Sequence, residues 1–282
     1  MAIIFDADRK IFTIHTKHTT YQMMADAKGY LLHLYYGPRT KGNMDYLLCY
    51  ADHGFSGSPY AAGMDRTYSL DALPQEYPSL GTGDYRNYAL DIVNANGTEC
   101  CDPIFDRYKI TKGKYSLQGL PAVWAADDEA ETLEIVLKDE VTQVEVHLLY
   151  GVLEEADIIT RSVIIQNAGT ETITVKKLCP HALILYTEIT MPSVLWQTCM
   201  ERNPERVPVG HGTYRIGSRR GSSSHQYNPG VILAERTATE NAGDCYGMLF
   251  MYSGNFVCEA ERISLTRPVS RWGLVMNCLH IR

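Results

Sequence analysis

Short runs with a period of two, many of them in neighbouring pairs, constrain this chain more than any other feature. TTYQMMA (19–25) and YLLHLYY (30–36) flank Asp26-Ala27-Lys28-Gly29, a turn with glycine where positive φ is needed. TLEIVLKD (132–139) and VTQVEVHLLY (141–150) repeat the arrangement, and IITRSVIIQN (158–167) leads through Asn167-Ala168-Gly169 into ETITVKKL (171–178). CYGMLFMYSG (245–254) and NFVCEAERI (255–263) read as a further hairpin about Ser253-Gly254-Asn255. A period of two puts alternate side chains on one face of a sheet, and no sustained helical period competes with it. The expectation is an all-β chain of mainly antiparallel strands stacked into a large sandwich.

The segment 37–125 is different, being rich in Gly, Pro, Tyr and Asp with few long apolar runs. It predicts long loops, which in compact domains are functional or lie at interfaces. No repeat, linker or internal boundary interrupts the 282 residues, so a single domain is expected over 1–282.

Net charge is −7 without a Lys/Arg-rich run, which argues against nucleic-acid and anionic-membrane partners. MAIIFDADRK lacks the apolar core of a signal peptide, and no stretch approaches the roughly 20 apolar residues of a membrane span. Eight cysteines without a Cys-x-x-Cys pair read as reduced, mostly buried thiols of a cytoplasmic protein.

Motifs for common chemistries are missing. His15-Thr16-Lys17-His18 has metal-like spacing, but positions three apart on a strand face opposite sides, so no metal is expected. There is no dinucleotide or P-loop glycine pattern and no G-x-S-x-G elbow, so no cofactor is expected. A glycosidase needs two carboxyl groups flanking the scissile bond. Asp52, Asp65 and Asp84 lie in the polar segment, but aspartates in such loops are ordinarily turn-formers. Around them crowd Tyr50, Phe55, Tyr60, Tyr68, Tyr77, Tyr85 and Tyr88, with His53, Arg66 and Arg86. Rings stacked on a sugar, or a protein interface, would both give this mixture. GSRRGSSSHQYNPG (217–230) is a second polar island between strand-like TYRI and VILA.

Several stretches taken together resemble one family. They are YADHGFSGSPYAAGMDRTYSLDALPQEYPSLGTGDYR (50–86), DIVNANGTE (91–99), LQGLPAVWAADDEAETLEIVLKD (117–139), DIITRSVIIQN (157–167), ERNPERVPVGHGTYRIGSRRGSSSHQYNPG (201–230) and MYSGNF (251–256). In this order they are similar to the N-terminal domain of bacterial alpha-galactosidases of glycoside hydrolase family 36. The likeness runs from about Ile3 to about Gly273, with Tyr227 where the family pattern usually has His.

The resemblance implies a galactose mutarotase-like β-supersandwich. In the family this domain precedes a catalytic (β/α)8 barrel and a small C-terminal β domain. A retaining mechanism there uses two barrel aspartates, one in a Lys-x-Asp segment. Neither barrel nor C-terminal domain is expected in this sequence, so no catalytic residue is assigned and the chain alone is expected to be inactive. What the family resemblance assigns instead is assembly and closure of the substrate pocket. Asp52, His53, Phe55, Asp65 and Arg66 would close the pocket around an alpha-galactoside held by a neighbouring subunit of a homo-oligomer. Asp84, Arg86, Arg219, Arg220 and His225 would lie at the domain interface with the barrel, an internal ion pair being the alternative for Asp84 and Arg86. The arginine-serine loop is expected to face solvent in this chain.

Two other readings stay open. One is a free-standing carbohydrate-binding module that uses the aromatic loops. The other is a self-sufficient enzyme on the sandwich, which needs an acid and a base converging on substrate, with His53 or His225 as its histidine.

Overall fold

A computed structural model describes residues 2–50, 52, 65–187, 194–198, 204–208, 212–223, 230–235, 237–265 and 271–281. Strands β1 (Ile3–Asp6), β2 (Ile11–His15), β3 (Thr19–Ala25) and β4 (Leu31–Pro38) form an antiparallel meander in sequence order. β5 (Leu90–Val93) comes next, followed by β6 (Ile104–Lys112), β7 (Glu131–Lys138), β8 (Val144–Leu153) and β9 (Ile158–Asn167). β6 to β9 make a second meander, again in order. β10 (Thr174–Leu178) pairs with β5 in a two-stranded sheet.

The remaining strands are β11 (His181–Thr187), β12 (Val194–Thr198), β13 (Pro204–Pro208), β14 (Thr213–Ser218), β15 (Gly230–Ala234), β16 (Cys245–Leu249), β17 (Asn255–Leu265) and β18 (Arg271–Ile281). They interleave into two sheets, ordered β11-β18-β17-β14 and β13-β12-β15-β16. The sequence places both members of the Asp26–Gly29 hairpin, and Gly29 has φ of 93° as its turn requires. The pairing of β7 with β8 and the limits of β9 also agree with the sequence pattern.

Three expectations need correction. The stretches 245–254 and 255–263 are not a hairpin. β16 pairs with β15, while β17 pairs with β14 and β18. A turn signal records where the chain bends but not which strand it meets, and the strands on either side of this turn join different sheets. The segment 37–125 is less open than its composition suggests: it holds β5 and β6, and Tyr68, Leu70, Leu73 and Tyr77 are buried. Among the described cysteines, Cys101, Cys179 and Cys258 are buried, but Cys49, Cys100 and Cys245 are exposed thiols.

The alternation along β7 and β8 explains the sandwich. Leu133, Ile135 and Leu137 join Val144, Val146, Leu148, Tyr150 and Val152 in one core that also takes Phe12, Ile14, Tyr21 and Met23 from the first meander. The sheets meet through rings: Phe12 lies 5.2 Å from Tyr108 edge-on, and Tyr21 lies 6.3 Å from Tyr150. Strands from the last two sheets add Leu183, Ile216, Val231, Leu233 and Phe256 to the same core. The architecture is a large all-β sandwich of antiparallel strands.

Candidate functional site

Four polar constellations stand out among the described residues. The first is formed by the described members of the predicted pocket set, Asp52, Asp65 and Arg66. Asp52 and Arg66 face each other there, Nε to Oδ2 at 3.3 Å, with both side chains substantially exposed. Asp65 accepts from the backbone N–H of Thr67 at 2.9 Å and from its hydroxyl at 2.6 Å. Those bonds hold the Asp65 carboxyl below its ordinary pKa. Two residues from each member of the pair, Tyr50 stacks on Tyr68 with centroids 6.2 Å apart, and the Tyr68 hydroxyl donates to buried Asp26. Asp52, Asp65 and Arg66 are thus brought together, whereas His53 and Phe55 lie outside the described residues.

Asp84 and Arg86 have a different environment. Arg86 donates from Nε to Asp84 Oδ1 at 2.8 Å and from Nη2 to Oδ2 at 2.7 Å. The same Nη2 lies 2.7 Å from the Leu70 carbonyl and 2.6 Å from that of Leu73, and Gln75 donates to Asp84 at 2.8 Å. Asp84 is buried, not a surface turn-former. The pair is internal, and it fastens the 70–75 segment that composition alone assigned to an open loop.

The third constellation was not singled out in the sequence. Glu76 is fully buried and lies 2.9 Å from Nη2 of Arg161. It accepts hydrogen bonds from the hydroxyls of Tyr21 at 2.7 Å and Tyr150 at 2.8 Å, and lies 3.3 Å from His33 Nδ1. Arg161 also donates to the Ala182 carbonyl at 3.1 Å. Burial alone would raise the Glu76 pKa; the Arg161 charge and the bonds from His33 and Tyr21 outweigh it and hold it at about 2. His181 stands nearby, its pKa pushed well below the ordinary value by burial and by the Arg161 charge.

This network ties β3, β4, β8, β9 and β11 together through one carboxylate. A signal for it does exist: Arg161 is a lone charge inside IITRSVIIQN, and a charge buried in a strand requires a partner. The sequence does not reveal that the partner sits 85 residues earlier, as the numbering of Glu76 and Arg161 gives. With both oxygens of Glu76 committed to protein donors and no exposed surface, the cluster is built to hold sheets together. It does not form an acid–base pair open to substrate.

The fourth is the arginine-serine island. Ser218 donates from its hydroxyl to the Ser222 carbonyl at 2.6 Å, and the Gly221 N–H donates to Asn255 Oδ1 at 2.7 Å. Ser223 N–H donates to the Ser253 carbonyl at 2.7 Å. Arg219, Arg220, Gly221 and Ser222 are exposed, as the sequence suggested, while His225 lies outside the described residues. Neither Arg219 nor Arg220 forms an ion pair among the described residues.

Among the described residues no group of three His, Cys, Asp or Glu side chains is placed to hold a metal. His15 bonds Thr20, which is buried, and His18 bonds Asp157 at the surface, so the two histidines make separate contacts. No described helix is long and apolar enough to cross a membrane.

Fold and constellations together define a sandwich module of the mutarotase-like type whose carboxylate–arginine pairs are structural or stand at a loop neck. The particular family follows from comparison. Residues 29–271 match the glycosyl hydrolase family 36 N-terminal domain, and the chain belongs to that family.

It is similar to the bifunctional alpha-galactosidase/sucrose kinase AgaSK of Mediterraneibacter gnavus, with 66% identity over 263 residues, 93% of this chain and 28% of that protein. It is 37% identical over 267 residues to the alpha-galactosidase Mel36A of Lactobacillus acidophilus, covering 92% of this chain and 36% of that protein. Among solved structures it resembles the galactosidase domain of AgaSK with a TM-score of 0.90 and 62% identity, covering 98% of this chain and 38% of that one. The family 36 alpha-galactosidase AgaB of Geobacillus stearothermophilus gives a TM-score of 0.88 at 34% identity, covering 98% and 37%. This chain therefore spans well under half the length of these relatives.

Proposed function

We propose that this chain is the non-catalytic N-terminal module of an alpha-galactosidase, serving its assembly and the closure of its substrate pocket. The partner is a catalytic barrel with its own carboxylates, and the substrate is a terminal alpha-galactoside such as melibiose or raffinose. One observation carries the reading: 66% identity extends over 93% of this chain, yet that is only 28% of a relative described as a bifunctional alpha-galactosidase/sucrose kinase.

The residue chemistry supports it. Retaining glycoside hydrolysis needs two carboxyl groups about 5 Å apart facing one sugar. Here Asp84 and Glu76 are each spent on an internal arginine. Asp52 is engaged by Arg66, and in this reading the pair belongs to the part of the chain that closes over a neighbouring site.

The test is to give the 282-residue chain an aryl alpha-galactoside and, separately, to titrate it with galactose and raffinose by calorimetry. No turnover and no heat are expected. Turnover would overturn the proposal, and tight sugar binding without turnover would replace it with a free-standing carbohydrate-binding module.

A further inference from the structure

The turn that follows β5 carries chemistry that the proposed function does not use. It contains Asn96-Gly97, the one Asn-Gly step in the sequence, and no Asp-Gly step accompanies it. Val93 bridges Glu99 across the turn. Inside it the Asn94 N–H donates to the Thr98 carbonyl and the Gly97 N–H to the Asn94 carbonyl, each at 2.9 Å. Gly97 has φ of 82°, the left-handed position that closes a three-residue hairpin loop. Ala95, Asn96, Gly97, Thr98 and Glu99 are all exposed.

The side-chain amide of asparagine is open to attack by the backbone nitrogen of the next residue, which closes a five-membered succinimide and expels ammonia. The attack needs an unshielded nitrogen, stabilisation of charge on the amide oxygen, and an unengaged leaving group. Gly97 meets the first need, since a Cβ placed there would meet no atom within 4 Å and glycine carries none. Its N–H must leave the Asn94 carbonyl, a single bond at an exposed loop tip, where local opening costs least. Thr98 meets the second need: Asn96 Oδ1 accepts from its N–H at 3.0 Å and from its hydroxyl at 2.7 Å. Two donors already face the oxygen on which negative charge develops. The Asn96 amide nitrogen, which must leave, donates to none of the described residues.

Other asparagines in turns lack this combination. Asn94 precedes Ala95 and donates its amide nitrogen to the Cys100 carbonyl at 2.8 Å. Asn167 precedes Ala168 and donates to the Glu171 carbonyl at 2.8 Å.

We infer that Asn96 is a site of spontaneous modification by which this chain ages. The Gly97 nitrogen bonds to Asn96 Cγ and gives its proton to a solvent base, while the Cγ–Nδ2 bond breaks and Nδ2 leaves as ammonia. Water then adds to either carbonyl of the ring. Opening on one side leaves aspartate, and on the other isoaspartate, whose backbone runs through the former side chain. Both products add a negative charge to a chain of net charge −7. The isoaspartate also lengthens the turn and so breaks the bonds between Asn94 and both Gly97 and Thr98. Glu99, which pairs with Lys176 of β10, lies just beyond that break. The inference stands apart from the galactosidase reading, since the turn supplies every reacting group except water.

Incubating the folded 282-residue chain in warm, mildly alkaline buffer tests it, beside a sample unfolded in guanidinium chloride. Trypsin then releases residues 87–107 for mass mapping. In the folded chain Asn96 should become a mixture of aspartate and isoaspartate, while Asn94 of the same peptide stays an amide. The isoaspartate should accept a methyl group from S-adenosylmethionine through an isoaspartyl methyltransferase, and isoelectric focusing should show a new acidic band. Gly97→Ala should slow the conversion by about fivefold or more, since alanine resists the backbone rotation that glycine permits. Thr98→Val should slow it by about threefold to tenfold, the worth of one hydrogen bond. Unchanged circular dichroism would show that both variants fold. An Asn96 that is still an amide in the folded chain after the unfolded sample has converted overturns the inference. So does equal conversion of Asn94 and Asn96, or a rate that neither variant changes.

Discussion

Glu76–Arg161 and Asp52–Arg66 are the same chemical pair in two settings. In the core, Arg161 is met by Glu76, the Ala182 carbonyl and the Tyr150 ring, whose centroid lies 4.7 Å from its guanidinium carbon. At the loop neck, both members of the pair face water. Burial separates their roles: a desolvated charge must be fully satisfied or the fold fails, whereas an exposed pair contributes about 0–1 kcal/mol. Residue type alone therefore does not locate a site in this molecule.

The sharpest way to break the contrast is to remove one charge from each pair. Arg161→Ala should destabilise by about 3–5 kcal/mol, because Glu76 is left buried and unpaired. Denaturant unfolding followed by circular dichroism would read this, and a loss under 1 kcal/mol would place water in the cluster. Arg86→Ala is expected to cost about 3 kcal/mol, since Asp84 loses its cation and two carbonyls lose a donor.

Acid should weaken the core. The Glu76 pKa is held at about 2 in the fold against 4.5 for the free side chain. Its contribution is therefore present above pH 4.5 and fades as pH falls toward 2. His181 adds to this from higher pH: its folded pKa lies below 6.5, so the unfolded chain takes up its proton first and stability declines as pH drops through 6.5. Melting temperatures between pH 7 and 4 should fall, and His181→Phe should flatten the upper part of that slope.

The smallest effect belongs to the neck. Asp52→Asn should change stability by less than about 1 kcal/mol. Within an active galactosidase the same change should raise KM more than it lowers kcat, if closure of the pocket is its role.

Two local pairings were legible in the sequence, while β15–β16 and β17–β18, also between chain neighbours, were not. Hairpin β3–β4 and the β7–β8 pair show themselves through alternation and turn chemistry, which are local signals. β16 and β17 defeated that logic because each bonds a strand other than its chain neighbour across the intervening turn. The sequence offered the internal Asp84–Arg86 pair only as an alternative, for a related reason. Gly-rich composition reports backbone freedom, while the burial of Asp84 rests on Arg86 and on the carbonyls of Leu70 and Leu73 that only the fold brings within its reach. The solvent-facing arginines were legible because GSRRGSSS contains no apolar residue to draw it inward.

One consequence concerns synthesis. β18 is an interior strand, bonded to β11 on one side and β17 on the other, although it comes after every other described strand of the sandwich. Until Ile281 clears the ribosome, β11 waits exposed, its partner some ninety positions downstream in the numbering of His181 and Arg271. The nascent chain must therefore pass through a stage with a gap in the middle of a sheet. A pause or truncation just before Arg271 would leave that gap open to chaperones or to neighbouring chains.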